Sequence, residues 1–268
     1  MNLAEDQCRR SEETQKKRIR LTVAYDGTDY RGWQSQPEGN TIQDALEQVL
    51  KQVLAEPVRV TGAGRTDTGV HATGQSAHFD TSSRLGCSEI ERALNALLPS
   101  DIRVRELTLA TDDFHARYSA TARSYRYCLA EENLPECVLL RRTHWVRPLR
   151  LARPELLHEC AGLVAGEHDF FTFSKGESHR DHHLCAVYSA GWTDGQDRLT
   201  FEIRANRYLR RMIRMLLGAM LAVAETRADL EDFRHGLKVP GRMKLAVPAP
   251  GAGLTLIRVE YPDSFRRF

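Results

Sequence analysis

The sequence predicts an α+β fold: two ferredoxin-like βαββαβ halves joined into one continuous, mainly antiparallel sheet, with helices on one side and an active-site cleft between the halves. Three observations predict it. Short alternating apolar runs are interleaved with helical patterns in the order β-α-β-β-α-β as far as Leu109. A similar series begins again at Thr121 and ends with a strand at 254–260. Between the two there is no Pro/Ser-rich linker, so the open sheets are expected to join edge to edge.

Each element has its own signal. Ile19, Leu21, Val23 and Tyr25 alternate with polar or small residues and stop at Asp26-Gly27, which reads as a half-buried strand ending in a turn. Thr41 and Asp44 resemble a capping box. Ile42, Ala45, Leu46, Val49, Leu50, Val53 and Leu54 then keep one helical face apolar until Pro57. A short strand through Val58 and Val60 and a longer one over 70–79 flank the stretch Gly62 to Gly69. Ser88 and Glu91 are expected to cap a helix carrying Ile90, Ala93, Leu94, Leu97 and Leu98, which Pro99 ends before a strand at 102–109. The second series reads as strands near 121–129 and 143–147, a helix at 154–165, strands near 184–193 and 198–204, a helix at 206–224 and a short helix near 229–238 before the last strand. The expected organisation is a disordered tail at 1–17, an N-terminal half at 18–113 carrying the glycine-rich loop, and a C-terminal half at 114–268 carrying a basic helix.

Composition narrows the function classes. The 268 residues are 41% hydrophobic and 28% charged, which excludes fibrous and disordered chains. The apolar run from Met215 to Ala224 falls well short of the about 18 residues a membrane span needs, so no membrane partner is expected. Residues 1–17 mix Glu5, Asp6, Glu12 and Glu13 with Arg9, Arg10, Lys16 and Lys17 and have the pattern of neither a signal nor a transit peptide; a cytoplasmic location is expected. Cys8, Cys87, Cys128, Cys137, Cys160 and Cys185 include no C-x-x-C pair and are expected to be reduced, mostly buried thiols. His179, His182 and His183 have only Asp181 at a ligand-like spacing, so no metal site is expected there. The net charge of +2 leaves polyanionic partners open, since the placement of the arginines decides.

Three constellations carry chemistry. In Gly62-Ala63-Gly64-Arg65-Thr66-Asp67-Thr68-Gly69, Asp67 stands where a Rossmann pattern needs glycine, and Val70-His71 stand where a P-loop needs Lys-Ser/Thr. Two readings remain for it: a Gly-rich hairpin with solvated charges, or a loop that presents a nucleophilic carboxylate, Asp67, beside a guanidinium, Arg65. Around Asn206 to Leu221, Arg207, Arg210, Arg211 and Arg214 form a basic stripe beside an apolar one, with no acid between Ile203 and Ala224. Cations there oppose a helix macrodipole, and phosphate is the natural partner. Arg123-Ser124-Tyr125-Arg126-Tyr127 reads as a strand whose tyrosines share one face, suited either to a core or to stacking on bases.

These segments occur in order with Tyr25-Asp26-Gly27-Thr28, Gly32-Trp33-Gln34 and Gly166-Glu167-His168-Asp169-Phe170, and together they resemble the tRNA pseudouridine synthase A family from about Arg18 to Tyr261. The resemblance implies an isomerase that converts uridine to pseudouridine at positions 38, 39 and/or 40 in the anticodon stem-loop of tRNA. It implies a homodimer and no cofactor. Carried onto this chain, Asp67 would attack the ribose or the uracil, Arg214 would pair with Asp67, and Arg65 would help hold the flipped nucleotide. Tyr125 would stack on the target uracil and help remove the C5 proton; the basic stripe itself, not the resemblance, assigns Arg207, Arg210 and Arg211 to substrate phosphates. The chain departs from the family at His182-His183-Leu184, where an Arg-Thr pair is frequent.

Two rivals compete with this reading. One is a non-catalytic RNA-binding protein with RRM-like halves, which gains nothing from a carboxylate in an anionic ligand's site. The other is a nucleotide-dependent enzyme using the Gly62–Gly69 loop, which lacks the Lys-Ser/Thr such a loop requires.

Overall fold

A computed structural model describes residues 16–175, 183–195, 197–239, 241 and 247–265. The first strand, β1 (Lys17–Tyr25), buries Ile19, Leu21, Val23 and Tyr25 in the strict alternation its sequence predicts. Helix α1 (Ile42–Leu54) is capped as expected, the Thr41 hydroxyl accepting from the Asp44 amide at 3.2 Å. Next come β2 (Thr61–Gly62), β3 (His71–Thr81), α2 (Cys87–Leu97) and β4 (Ile102–Leu109). The second series comprises β5 (Ala122–Ala130), α3 (Cys137–Leu140), β6 (Trp145–Val146), α4 (Glu155–Val164), β7 (Gly166–Asp169), β8 (Leu184–Asp194), β9 (Arg198–Ala205), α5 (Met212–Ala224), α6 (Leu230–Lys238) and β10 (Leu254–Glu260).

All ten strands among the described residues belong to one sheet, whose main path is β4-β1-β3-β10-β5-β9-β8-β7. With β2 on β3, the first four strands pair in the order 4-1-3-2. The order β10-β5-β9-β8 repeats that arrangement, with β7 added at the edge. Every pairing is antiparallel except β3–β10 and β5–β6. The seam between the halves is β3: β2 pairs with it at Ala77 and His78, and β10 pairs parallel to it at His71 and Ala72. The loop from β2 back to β3 therefore runs over the junction of the halves.

One face of the sheet carries the core, including Ile19, Leu21, Phe79, Tyr127, Leu129, Phe201 and Ile203. On the other face, arginines meet carboxylates: Arg18 with Asp80, Arg126 with Glu202 and Arg204 with Glu260, each at 2.7 Å.

The structure corrects several expectations. The basic stripe is not helical through its length: α5 begins at Met212, so only Arg214 lies on it, while Arg207, Arg210 and Arg211 occupy the preceding loop. Asn206 breaks the pattern. Its side-chain oxygen accepts from the Ala186 amide and its own amide donates to the Ala186 carbonyl, both at 3.0 Å, while the Lys175 amide takes up the Arg210 carbonyl. The cap of α2 sits two residues earlier than predicted, at Gly86, whose amide donates to Glu89 at 2.7 Å; Glu91 instead accepts from the Leu107 amide. The pairing expected at Val58 and Val60 occurs at Thr61–Gly62, since Glu47 takes the Val60 amide. β1 begins at Lys17, within the stretch expected to be tail. Of the described cysteines, all are free, but only Cys160 and Cys185 are buried. Cys8, His179 and His182 lie outside the described residues; His183 packs against the Phe171 ring at 4.9 Å. Among the described residues no helix is long and apolar enough to cross a membrane, and no group of three or more His, Cys, Asp or Glu side chains could hold a metal.

Candidate active site at the seam

The loop Gly62–Val70 is pinned along its length. The Trp33 amide donates to the Thr66 carbonyl at 3.1 Å, and the Ala63 amide to the Ser76 carbonyl at 2.8 Å. The Gln75 side chain donates to the Gly64 carbonyl at 2.7 Å, and the hydroxyls of Tyr25 and Thr66 meet at 2.8 Å in a buried setting. Gly32 explains the Gly-Trp-Gln motif: its φ is +91°, and a Cβ there would stand 2.4 Å from the Thr66 carbonyl oxygen, so only glycine lets this backbone lie against the loop. The Tyr-Asp-Gly-Thr motif reaches across the seam, because Asp26 and Asp29 pair with Arg142 of the second series at 3.0 and 2.9 Å.

On this loop Asp67 faces α5. Arg214 Nη1 donates to Asp67 Oδ2 at 2.9 Å, and the two side chains are 14% and 31% exposed. Arg214 is itself fixed, since its Nε donates to the Ala249 carbonyl at 2.6 Å while its carbonyl accepts from the Ala249 amide at 2.9 Å. One turn on, Gly218 lets the same segment lie on the helix: a Cβ there would meet the Val247 carbonyl oxygen at 1.9 Å. Asp67 Oδ1 has no hydrogen-bond partner among the described residues. Among the described residues, one carboxylate oxygen is thus held and the other is unpartnered.

Tyr125 and Tyr127 separate. Tyr127 is fully buried and its hydroxyl donates to the Pro250 carbonyl at 3.0 Å, so it is core. Tyr125 is 8% exposed, and its hydroxyl makes no hydrogen bond among the described residues. That hydroxyl hangs over Gly64, 3.9 Å from where a Cβ would be, and its ring meets Tyr208 edge-on at 5.1 Å. Burial pushes the Tyr125 phenol up to about 12, with Asp67 adding to the rise, so it is a neutral phenol near pH 7.

Arg65, Arg207 and Arg210 are exposed, and Arg211 is half-buried. Arg65 donates to Gln34 at 3.1 Å rather than to Asp67, so the pairing of neighbours suggested by spacing is replaced by the long-range pair with Arg214. Arg211 adopts a left-handed backbone, φ +62°, just before α5, and its Nε is buried without a hydrogen-bond partner among the described residues. Sequence reasoning missed Tyr208, which carries the ring beside Tyr125, and Ala249, which locks Arg214. It also missed Arg123 as a buried residue. The signal for that one was its register, since residues 123, 125 and 127 of a strand share a face.

A family profile described as tRNA pseudouridine synthase matches residues 21–119 and 161–262, three quarters of the chain. The chain belongs to the tRNA pseudouridine synthase family. It is 44% identical over 251 residues to the tRNA pseudouridine synthase A of Chlorobium luteolum, covering 93% of this chain and 97% of that one. The same name is carried by relatives in Gloeobacter violaceus, 39% identical with 92% and 81% covered, and Bacteroides thetaiotaomicron, 38% identical with 92% and 91% covered. Asp67 and Arg214 fall within the stretches matched by the tRNA pseudouridine synthase profile, whereas Tyr125 falls in the interval between them.

Proposed function

We propose that this protein isomerises uridine to pseudouridine at positions 38, 39 and/or 40 in the anticodon stem-loop of tRNA. The observation that carries the reading is the Asp67 carboxylate, with Oδ2 held by Arg214 and Oδ1 unpartnered among the described residues, on a loop fixed at the seam of the two halves. A nucleophilic carboxylate needs one oxygen oriented and one available. Asp67 attacks either C1′ of the ribose or C6 of the uracil. The N1–C1′ bond breaks, the base turns, the C5–C1′ bond forms, the temporary bond from the Asp67 oxygen to C1′ or C6 breaks and returns the carboxylate, C5 gives up its proton and N1 gains one. The reaction is an isomerisation and balances without a co-reactant.

The target uridine leaves its stack to reach Asp67, at a cost of a few kcal/mol that stacking and phosphate contacts offset. Tyr125 supplies the stacking ring. Because its phenol is neutral near pH 7, it orients the base more readily than it removes the C5 proton. Arg65 holds the extruded nucleotide, and Arg207, Arg210 and Arg211 take backbone phosphates. The RRM-like binding reading is disfavoured by the sheet itself: Tyr127 is core, and Arg18, Arg126 and Arg204 on the other face are paired with carboxylates.

The protein acts in the cytoplasm as a homodimer, one tRNA touching both subunits, because a tRNA whose anticodon arm enters this cleft extends well beyond one 268-residue chain. Mixing Asp67→Ala subunits with subunits stripped of outer basic residues then restores activity, whereas a fully active monomer in sedimentation overturns the assembly. The reaction is tested by incubating the protein with unmodified tRNA transcripts, labelling pseudouridine chemically and mapping reverse-transcription stops. Stops at 38–40 are expected; transcripts left without new stops overturn the proposal.

A further inference from the structure

Arg123 lies on β5, two residues before Tyr125, and is only 9% exposed. Among the described residues its guanidinium faces no carboxylate. Instead it donates to four main-chain carbonyls: Ala63 at 3.1 Å, Arg117 at 2.7 Å, Ala120 at 3.1 Å and Asn206 at 2.7 Å. Ala63 begins the loop that presents Asp67. Asn206 begins the loop that carries Arg207, Arg210 and Arg211, and Arg117 and Ala120 belong to the link between β4 and β5. The carbonyl of Arg123 accepts from the Tyr208 hydroxyl at 3.1 Å, and Tyr208 is the ring beside Tyr125.

A buried cation satisfied only by neutral carbonyls is costly, and burial lowers the pKa of Arg123 accordingly. An apolar side chain would fill the same volume without that cost, so packing alone does not account for it. The planar fork of a guanidinium, with five donors in fixed directions, suits carbonyls arriving from three directions; an ammonium with three donors does not.

We infer that Arg123 is a positioning residue that fixes the Asp67 loop to the loop bearing Arg207, Arg210 and Arg211, so that an RNA gripped by the arginines presents its uridine to the carboxylate in register. The inference rests on the site assignment above, and its test includes a readout independent of activity. In Arg123→Lys, charge is kept but the fork is lost. Affinity for tRNA and its salt slope should stay within about twofold, because the phosphate contacts remain. The single-turnover rate of the bound complex should fall about 100-fold, the size of effect expected when reacting groups shift by about 1 Å. Hydrogen exchange should speed up together in 63–67 and 206–211 and remain unchanged in β1 and β4. In Arg123→Ala, millimolar methylguanidinium should restore the rate and methylammonium should not.

A wild-type rate in Arg123→Lys overturns the inference, as does faster exchange in only one of the two loops or throughout the chain. If wild-type protein makes no pseudouridine, the proposed function fails, and the paired change in exchange still decides the role of Arg123.

Discussion

Two loops meet at the seam of this molecule, and they present their charged side chains in opposite ways. The loop Gly62–Val70 is held by main-chain and side-chain hydrogen bonds on nearly every residue, with Gly32 admitting another backbone against it. The backbone of 206–211 is anchored as well, at Asn206, through the Tyr208 hydroxyl and at the Leu209, Arg210 and Arg211 carbonyls, but the Arg207 and Arg210 side chains stand in solvent, whereas the Asp67 carboxylate is held by Arg214. The difference separates two tasks. Attack on a carbon requires a carboxylate held to a fraction of an ångström, whereas phosphate contacts act over longer distances and tolerate movement.

The largest test of that contrast removes the carboxylate. Asp67→Asn keeps the shape but is no nucleophile, so pseudouridine formation should fall by at least about 10⁴-fold while tRNA affinity changes little, measured by single turnover and filter binding. Arg214→Ala should lower the rate of the bound complex by about 100-fold, because Asp67 loses the donor that orients it; an effect mainly on affinity would place Arg214 among the phosphate contacts. Gly32→Ala forces a Cβ against the Thr66 carbonyl at a left-handed φ. It should cost about 1–3 kcal/mol, seen as a lower Tm, and slow the reaction with little change in affinity.

On the other loop the effects are smaller and of another kind. Arg207→Ala or Arg210→Ala should weaken tRNA binding about fivefold and reduce the salt slope by roughly one unit for each phosphate no longer neutralised, leaving the saturated rate unchanged. Tyr125→Phe should change activity least. The phenol stays protonated until about pH 12, so no rise or fall of rate between pH 7 and 10 should trace to it, and the pH profiles of wild type and variant should have the same shape.

The strand-and-helix series was legible because burial follows period 2 on β1 and period 3.6 on α1, and both patterns are visible in the residues. The start of α5 was not. Leu209, Met212 and Ile213 continue a helical spacing back into a loop, and neither the Asn206 contact to Ala186 nor the left-handed backbone at Arg211 has a local signature. At α2 Ser88 and Glu91 have the capping spacing, but Glu91 accepts from the Leu107 amide and the cap falls to Gly86 and Glu89, a tertiary contact with no local signature. Asp67 stood out through its failed nucleotide motifs. Its partner did not emerge from spacing, since Arg214 is 147 residues away, and it came instead from resemblance. The role of Arg123 was hidden because its four partners are carbonyls, which every residue possesses.

The division between chemistry and grip is tested most directly on the unaltered protein by varying salt alone. Affinity for tRNA and the single-turnover rate at saturating protein should be measured on the same transcript from about 50 to 200 mM monovalent salt. Log Kd should rise linearly with log salt, while the saturated rate stays constant within about twofold. A saturated rate that falls in step with affinity would contradict the account, because the carboxylate and the phosphate contacts would then be one electrostatic unit rather than two.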